Sequence, residues 1–275
     1  MNIHFIGGGN MASALIGGLL GKGFAAGDIR VTEPLPQQRL ALGEKFGIDC
    51  LAETDAATLD ANVLVLAVKP QQMQAALAPI AGRLQRPVVL SIAAGLTLGT
   101  LSAWLLGYRR IVRAMPNTPA LIGAGMSGLF ALPEVTRDER RMTESVLAAA
   151  GETLWVEKEC QMDAITAISG SGPAYFFLFL ETLEEAAQSL GLSRQAARKL
   201  ALQTGFGAAS LAKSSPESPS ALRARVTSKG GTTAAALAVM EEMGVAAGVI
   251  AGARAACARS AELARQSGTQ GSIEK

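Results

Sequence analysis

Histidine is almost missing from this chain: there is one, His4, in 275 residues. That removes imidazole from most schemes of proton transfer and metal binding, and His4 itself lies inside a short apolar run rather than at the end of one. Cysteine is scarce too. Cys50, Cys160 and Cys257 are odd in number and far apart, so they offer neither a metal-ligand spacing nor a disulfide framework. Reduced thiols in a cytoplasmic protein are expected, and no metal site. Charge of either sign is sparse and balanced, with 25 basic against 23 acidic residues. Without a basic run, nucleic acid is not an expected partner. Residues 87–108 carry no charge and have the length of a membrane span. However, Ser91, Gly95, Thr97, Gly99, Thr100, Ser102 and Gly107 break that stretch into a buried strand, a glycine turn and a short helix. The N-terminus, Met1-Asn2-Ile3-His4, lacks the basic region of a secretion signal. No association with a membrane is expected.

What is abundant is small and apolar. Hydrophobic residues make up 49% of the chain, which predicts an ordered globular protein of one or two domains. Residues 2–6 form an apolar run that ends in Gly7-Gly8-Gly9. Met11, Leu15, Gly18 and Leu19 then share one face of a helix. Strand, glycine turn and helix in that order make Gly7-x-Gly9-x-x-Ala12 a dinucleotide fingerprint. Gly7 permits the tight turn, Gly9 lets backbone approach a pyrophosphate, and Ala12 lets helix and strand pack closely. The pyrophosphate would lie on the free N–H groups of the helix start. A second strand over 29–32 leads to Glu33, an acidic residue at about the distance (~20 residues) expected of a ribose-binding carboxylate.

A helix over Pro36–Phe46 follows. Residues 63–68 and 88–92 are apolar on both faces and 111–114 looks like another strand; such strands, alternating with helices, are the pattern of a parallel sheet covered on both sides. Ligands bind at the carboxyl ends of such strands, which draws in Ala67-Val68-Lys69-Pro70, Ser91-Ile92-Ala93-Ala94-Gly95 and Met115-Pro116-Asn117-Thr118-Pro119. In the last, two prolines fix a non-helical path and leave Asn117 and Thr118 available as hydrogen-bonding groups, Asn117 as a candidate beside the cofactor; a plain structural turn is the alternative.

The strand pattern ends near 154–156. Residues 1–157 therefore read as a dinucleotide-binding α/β domain and 158–275 as an all-helical one. Two helical segments, 164–180 and 243–253, carry no charge at all, which predicts burial on several faces and an intertwined oligomer. Ser169-Gly170-Ser171-Gly172-Pro173 interrupts a helical pattern, as backbone approaching a ligand or a plain helix start would do. The segment 226–233, Val-Thr-Ser-Lys-Gly-Gly-Thr-Thr, gathers hydroxyls and glycines before a helix. Such a start suits a carboxylate, or is simply a capped helix end.

Taken together, 5–12, 67–70, 91–95, 115–119, 169–175 and 226–233 resemble the pyrroline-5-carboxylate reductase family, in its order and at its spacing across nearly the whole chain. The resemblance implies a Rossmann-type domain followed by an all-α substrate-binding and dimerisation domain. It implies reduction of the cyclic imine 1-pyrroline-5-carboxylate to L-proline with NADPH or NADH, in a homodimer that assembles further, commonly to a decamer. Dinucleotide contacts carry over to Ile6, Gly7, Gly8, Gly9, Asn10 and Met11, and to Ala67, Val68, Lys69 and Pro70, with Ala93 and Ala94 near the nicotinamide. Substrate contacts carry over to Ser228, Gly231, Thr232 and Thr233, with Thr233 at the ring nitrogen and Glu159 as an acidic group nearby.

Two departures stand out. Glu33 suits a free ribose 2′-hydroxyl and repels a 2′-phosphate unless Arg39 folds back, so cofactor preference stays open. Arg225 stands where the family often has an uncharged amide. A hydroxy-acid dehydrogenase and a non-catalytic dinucleotide sensor are the rival classes. The former generally needs a lysine on the substrate-domain helix, and none lies between Glu159 and Arg198.

Overall fold

The computed structural model describes residues 1–270. These form two compact units, one of 1–171 with the residues from Ala256 onward, the other Gly172–Ala255. The change from strands to helices lies near 157, yet the first unit also keeps the helical turns up to Ser171.

The first unit is built on one eight-stranded sheet. Its strands are β1 (Ile3–Ile6), β2 (Ile29–Thr32), β3 (Asp49–Leu51), β4 (Val63–Leu66), β5 (Val88–Ser91), β6 (Ile111–Met115), β7 (Gly125–Ala131) and β8 (Gly151–Trp155). They lie in the order 3-2-1-4-5-6-7-8. All neighbours run parallel except β6 and β7. The helices of this unit are α1 (Asn10–Gly21), α2 (Pro36–Phe46), α3 (Ala56–Asp60), α4 (Pro70–Leu77), α5 (Leu98–Trp104), α6 (Arg137–Ala148) and α7 (Gln161–Ile165). A π-helical turn, Thr166–Gly170, follows α7.

The continuously apolar strands feed two cores, because alternate side chains point to opposite faces of a sheet. Ile3, Phe5, Val63, Val65, Val88 and Leu90 join Leu15 and Leu19 of α1 in one core. Ile6, Leu64, Leu66 and Val89 join Met73 and Leu77 of α4 in the other. Strand β1 is central, paired to β2 on one side and β4 on the other. That is the point where the strand order reverses, so the carboxyl end of β1 opens into the crevice where such sheets bind ligands.

The second unit is helical: α8 (Gly172–Ser189), α9 (Arg194–Ser214), α10 (Pro219–Arg225), α11 (Thr232–Glu242) and the start of α12 (Val245–Gln270). Gly191, at φ +90°, turns the chain between α8 and α9, and the Ser193 hydroxyl caps α9 by accepting from the Ala196 N–H. Helices α8 and α9 pack on each other, with Leu180 filling the space above Gly205. Among the described residues no single helix is long and apolar enough to cross a membrane.

Candidate active site

The site begins with the turn after β1. The Gly7 N–H donates to the Thr32 carbonyl at 2.8 Å, and the Ala67 N–H donates to that of Ile6 at 2.8 Å. These bonds hold the ends of β2, β1 and β4 side by side. Gly7 has φ +97°, and a Cβ there would lie 2.7 Å from Val68 Cγ1 and 2.9 Å from the Ala67 carbonyl oxygen. Glycine is required on both counts. A Cβ on Gly9 would meet nothing within 4 Å. That residue is the N-cap of α1 and makes no side-chain cap, so the first N–H groups of the helix, on Asn10, Met11 and Ala12, face outward without an intrahelical partner. A tight turn beneath open space at a helix N-terminus is what a dinucleotide pyrophosphate needs, and the residues present fit it. Lys69 and Pro70 begin α4 beside this turn, with Lys69 exposed. Ala93, buried, and Ala94, exposed, follow β5.

Glu33 is buried and faces the main chain. Its Oε2 accepts the Gly8 N–H and its Oε1 accepts the Leu35 N–H, both at 3.0 Å. Arg39 folds back from α2, and its Nη1 donates to the carbonyls of Glu33 at 2.8 Å and Pro34 at 2.9 Å. Gln38, which the sequence did not single out, donates from Nε2 to the Gly8 carbonyl at 3.0 Å and ties α2 to the glycine turn.

Asn117 and Glu159 are also tied to their surroundings. Asn117 donates from Nδ2 to the Ser169 carbonyl at 3.1 Å and accepts the Met126 N–H on Oδ1 at 2.8 Å. It thereby links the end of β6 to β7 and to the π-helical turn. Glu159 Oε1 accepts the Leu98 N–H at 2.7 Å and a bond from Arg113 Nη1 at 3.2 Å. The carboxylate sits on the N-terminus of α5 and neutralises a buried arginine of β6. Arg113 had a visible signal, one charge inside an apolar strand. The break at 169–173 is the end of the π-helical turn and the start of α8, with Pro173 in its first turn, where a missing N–H costs nothing.

The segment 226–233 belongs to the second unit. The Gly231 N–H closes a turn onto the Ser228 carbonyl at 3.1 Å, so it is already engaged. Thr232 and Thr233 are the first two residues of α11, whose N-cap, Gly231, makes no side-chain cap. The N–H groups of Thr232, Thr233 and Ala234 therefore lack intrahelical partners. Ser228 Oγ lies 2.5 Å from where a Cβ on Gly231 would be, which brings its hydroxyl onto the same helix start. Arg225, the last residue of α10, pairs with Glu217 at 2.7 Å and so ties the end of that helix to the loop before it.

His4 takes no part. It is buried in β1 with Nε2 at 2.7 Å from the Thr32 hydroxyl. Burial pushes its pKa down to about 4, with Asp55 and Asp49 pulling up and Arg30 pushing down. The three cysteines are free, and no cluster of metal-ligating side chains occurs among the described residues.

Residues 159–263 match the family described as pyrroline-5-carboxylate reductase dimerisation, and residues 2–95 match that described as NADP oxidoreductase, coenzyme F420-dependent. The pyrroline-5-carboxylate reductase of Pseudomonas aeruginosa is 47% identical over 267 residues, 97% of this chain and 98% of its own. That of Escherichia coli is 39% identical over 250 residues, 90% of this chain and 93% of its own. Among solved structures, a pyrroline-5-carboxylate reductase from Coxiella burnetii superposes with a TM-score of 0.90 at 41% identity, covering 95% and 98% of the two chains. The Plasmodium falciparum pyrroline carboxylate reductase with NADP bound gives 0.84 at 29% identity, covering 96% and 98%. With relatives this similar over nearly the full length, and the helical half matched to the family's own dimerisation domain, the chain belongs to the pyrroline-5-carboxylate reductase family.

Proposed function

We propose that this protein reduces 1-pyrroline-5-carboxylate to L-proline, the last step of proline biosynthesis, with NAD(P)H as reductant. The observation that carries the reading is the start of α11, an uncapped helix N-terminus with the Ser228 hydroxyl folded onto it. Such a start suits one carboxylate, bound by the N–H groups of Thr232 and its successors and by Ser228. The Gly231 N–H, engaged in its own turn, positions the loop instead.

Bound NAD(P)H supplies the hydride. The chain supplies orientation and little acid–base chemistry, consistent with its single, buried histidine. A ketone would need a proton donor for the alkoxide that develops, whereas a protonated cyclic imine is already an electrophile and ends as an amine. The task left to the protein is to fix the carboxylate and the ring nitrogen, the latter through the Thr233 hydroxyl. The turn at Gly7–Gly9, with Asn10, Met11 and residues 67–70, holds the dinucleotide, and Ala93 and Ala94 flank the nicotinamide. Asn117 and Glu159 act by holding the walls of this region, through the bonds they already make.

The working form is a homodimer through the C-terminal helices, with further assembly up to a decamer, in the cytoplasm. The exposed phenylalanines of α8 and the three free cysteines support these readings. The deciding experiment follows loss of reduced-nicotinamide absorbance with and without 1-pyrroline-5-carboxylate, and identifies proline as product. Thr233→Ala is expected to lower kcat/KM by about 10- to 100-fold, the cost of one polar contact to a charged group, with dinucleotide affinity unchanged. Folded protein that binds dinucleotide but oxidises none in the presence of substrate would overturn the reading. An unchanged kcat/KM in Thr233→Ala would remove that residue's role.

A further inference from the structure

We propose that Arg39 selects the phosphorylated dinucleotide by pairing with its adenosine 2′-phosphate, and that Glu33 anchors the glycine turn instead of holding the ribose. The proposal rests on reading the Gly7–Gly9 turn as the dinucleotide site, and it names the chemistry of one end of that site.

The position follows from the sheet. Strand β2 pairs with β1 in register, Ile6 opposite Thr32. The residues after Thr32 therefore flank the glycine turn on the side away from β4. In sheets of this order the adenosine ribose lies there, and an acidic side chain accepts its 2′-hydroxyl or an arginine receives its 2′-phosphate. This chain has one of each, Glu33 and Arg39, and their hydrogen bonds separate the two roles.

Glu33 is only 6% exposed. Each of its oxygens already accepts a main-chain N–H, from Gly8 and from Leu35, at 3.0 Å. The first of these bonds holds the middle glycine of the turn. The second closes the turn that leads into α2. Removing the carboxylate would leave two amide donors unpaired, and a ribose would have to share oxygens that the main chain holds. The negative charge that would repel a phosphate is thus buried and directed at backbone dipoles.

Arg39 is placed the other way. It is half-buried, and Nη1 is pinned to the carbonyls of Glu33 and Pro34. Those two bonds use one nitrogen of a guanidinium that carries five donors. Neither partner is charged, and Arg39 forms no ion pair among the described residues. A full positive charge is therefore held over the turn after β2, and among the described residues no carboxylate pairs with it. A pre-positioned guanidinium loses little freedom on meeting a phosphate, and its planar fork matches one.

The test is binding, measured by calorimetric titration of wild type, Arg39→Gln and Arg39→Lys with NADPH, NADH and adenosine 2′,5′-bisphosphate. Wild type is expected to bind NADPH at least about tenfold more tightly than NADH. Arg39→Gln should weaken NADPH and the bisphosphate by about tenfold or more and change NADH by no more than about twofold. Arg39→Lys, which keeps the charge and loses the fork, should fall between. In wild type, added salt should weaken NADPH more steeply than NADH, a readout that needs no variant to fold. Equal weakening of both dinucleotides in Arg39→Gln would make Arg39 a brace for the turn and overturn the proposal, as would a wild type without preference for NADPH. Discriminating binding without turnover of 1-pyrroline-5-carboxylate would overturn the proposed reaction and leave Arg39 in its role. Folded protein that binds neither dinucleotide would overturn both.

Discussion

Gly7 and Gly9 stand two positions apart in one turn, yet the demands on them are opposite. Gly7 is held by the fold: at φ +97°, with Val68 and the Ala67 carbonyl within 3 Å of any Cβ, Gly7→Ala should destabilise the protein by about 2 kcal/mol or more in urea unfolding. Gly9 has φ −67° and open space around it, so Gly9→Ala should leave stability within about 1 kcal/mol, in either direction. If the proposed dinucleotide site is right, the same variant should weaken dinucleotide binding by about tenfold or more, because the methyl group would enter the open space assigned to the pyrophosphate. A tight-binding Gly9→Ala would remove the reason for that glycine. His4 makes a prediction of another kind. Its pKa is near 6.5 when unfolded and about 4 when folded, so between these values the unfolded chain binds the extra proton. Stability should therefore be unaffected by His4 above pH ~6.5 and fall as pH drops toward 4, by about 3 kcal/mol in all. Thermal unfolding across that window, with His4→Val as the comparison, should show the slope in the wild type and a shallower one in the variant. Equal slopes would mean that other groups carry the acid sensitivity.

Elements bounded by local chemistry are legible in the sequence. Helix α2 runs over Pro36–Phe46 as expected, because a proline at its first position and Gly47, in the left-handed conformation at its end, set both limits. The glycine fingerprint and the helix start that follows 226–231 were legible for the same reason, though that the start lacks a side-chain cap was not. Strand β7 was not. Gly125 and Gly128 interrupt its pattern, and only the folded packing explains them: a Cβ on Gly125 would meet Ala120 and the Ala150 carbonyl, and one on Gly128 would meet Ile165. Edge strand β3, three residues with an aspartate, carries too little pattern to read. The partners that Glu33, Asn117 and Glu159 find at Gly8, Met126 and Leu98 were hidden likewise, since each is a main-chain N–H brought close only by the fold. Gly18 shows how far packing overrides propensity. Within α1, alanine would be favoured over glycine by about 1 kcal/mol. Here, however, its Cβ would lie 2.4 Å from the Ala149 carbonyl oxygen, a main-chain atom that cannot swing aside. Gly18→Ala is therefore expected to lower stability by a net ~1–3 kcal/mol in denaturant unfolding. A variant more stable than wild type would show that α1 can move away from the end of α6 at little cost.

At the scale of the whole molecule the second unit cannot be explained by one chain. Its fully buried apolar side chains, among the described residues, are Ala197 and Ala201, which is far too little to hold five helical segments together. Phe176, Phe177, Leu178 and Phe179 are four successive residues of α8, each at least 48% exposed. Successive positions on a helix are about 100° apart, so these four point around most of its circumference. Helix α9 packs along α8 but cannot cover all sides of it, and full burial of each such side chain is worth about 1.5–3 kcal/mol. A second copy of the same helices supplies matching apolar surface, and a two-fold axis buries each patch against its twin. The dimerisation domain matched over 159–263 agrees. Analytical ultracentrifugation should accordingly find a dimer, or an even multiple of it, at micromolar concentration and find no monomer. Phe176→Glu with Phe179→Glu should shift the protein to monomer and unfold the helical half, while the sheet unit, which owns both large cores, keeps its cooperative transition. A stable wild-type monomer would leave these phenylalanines in water with no compensating contact, and self-association would then not be what holds the helical half together.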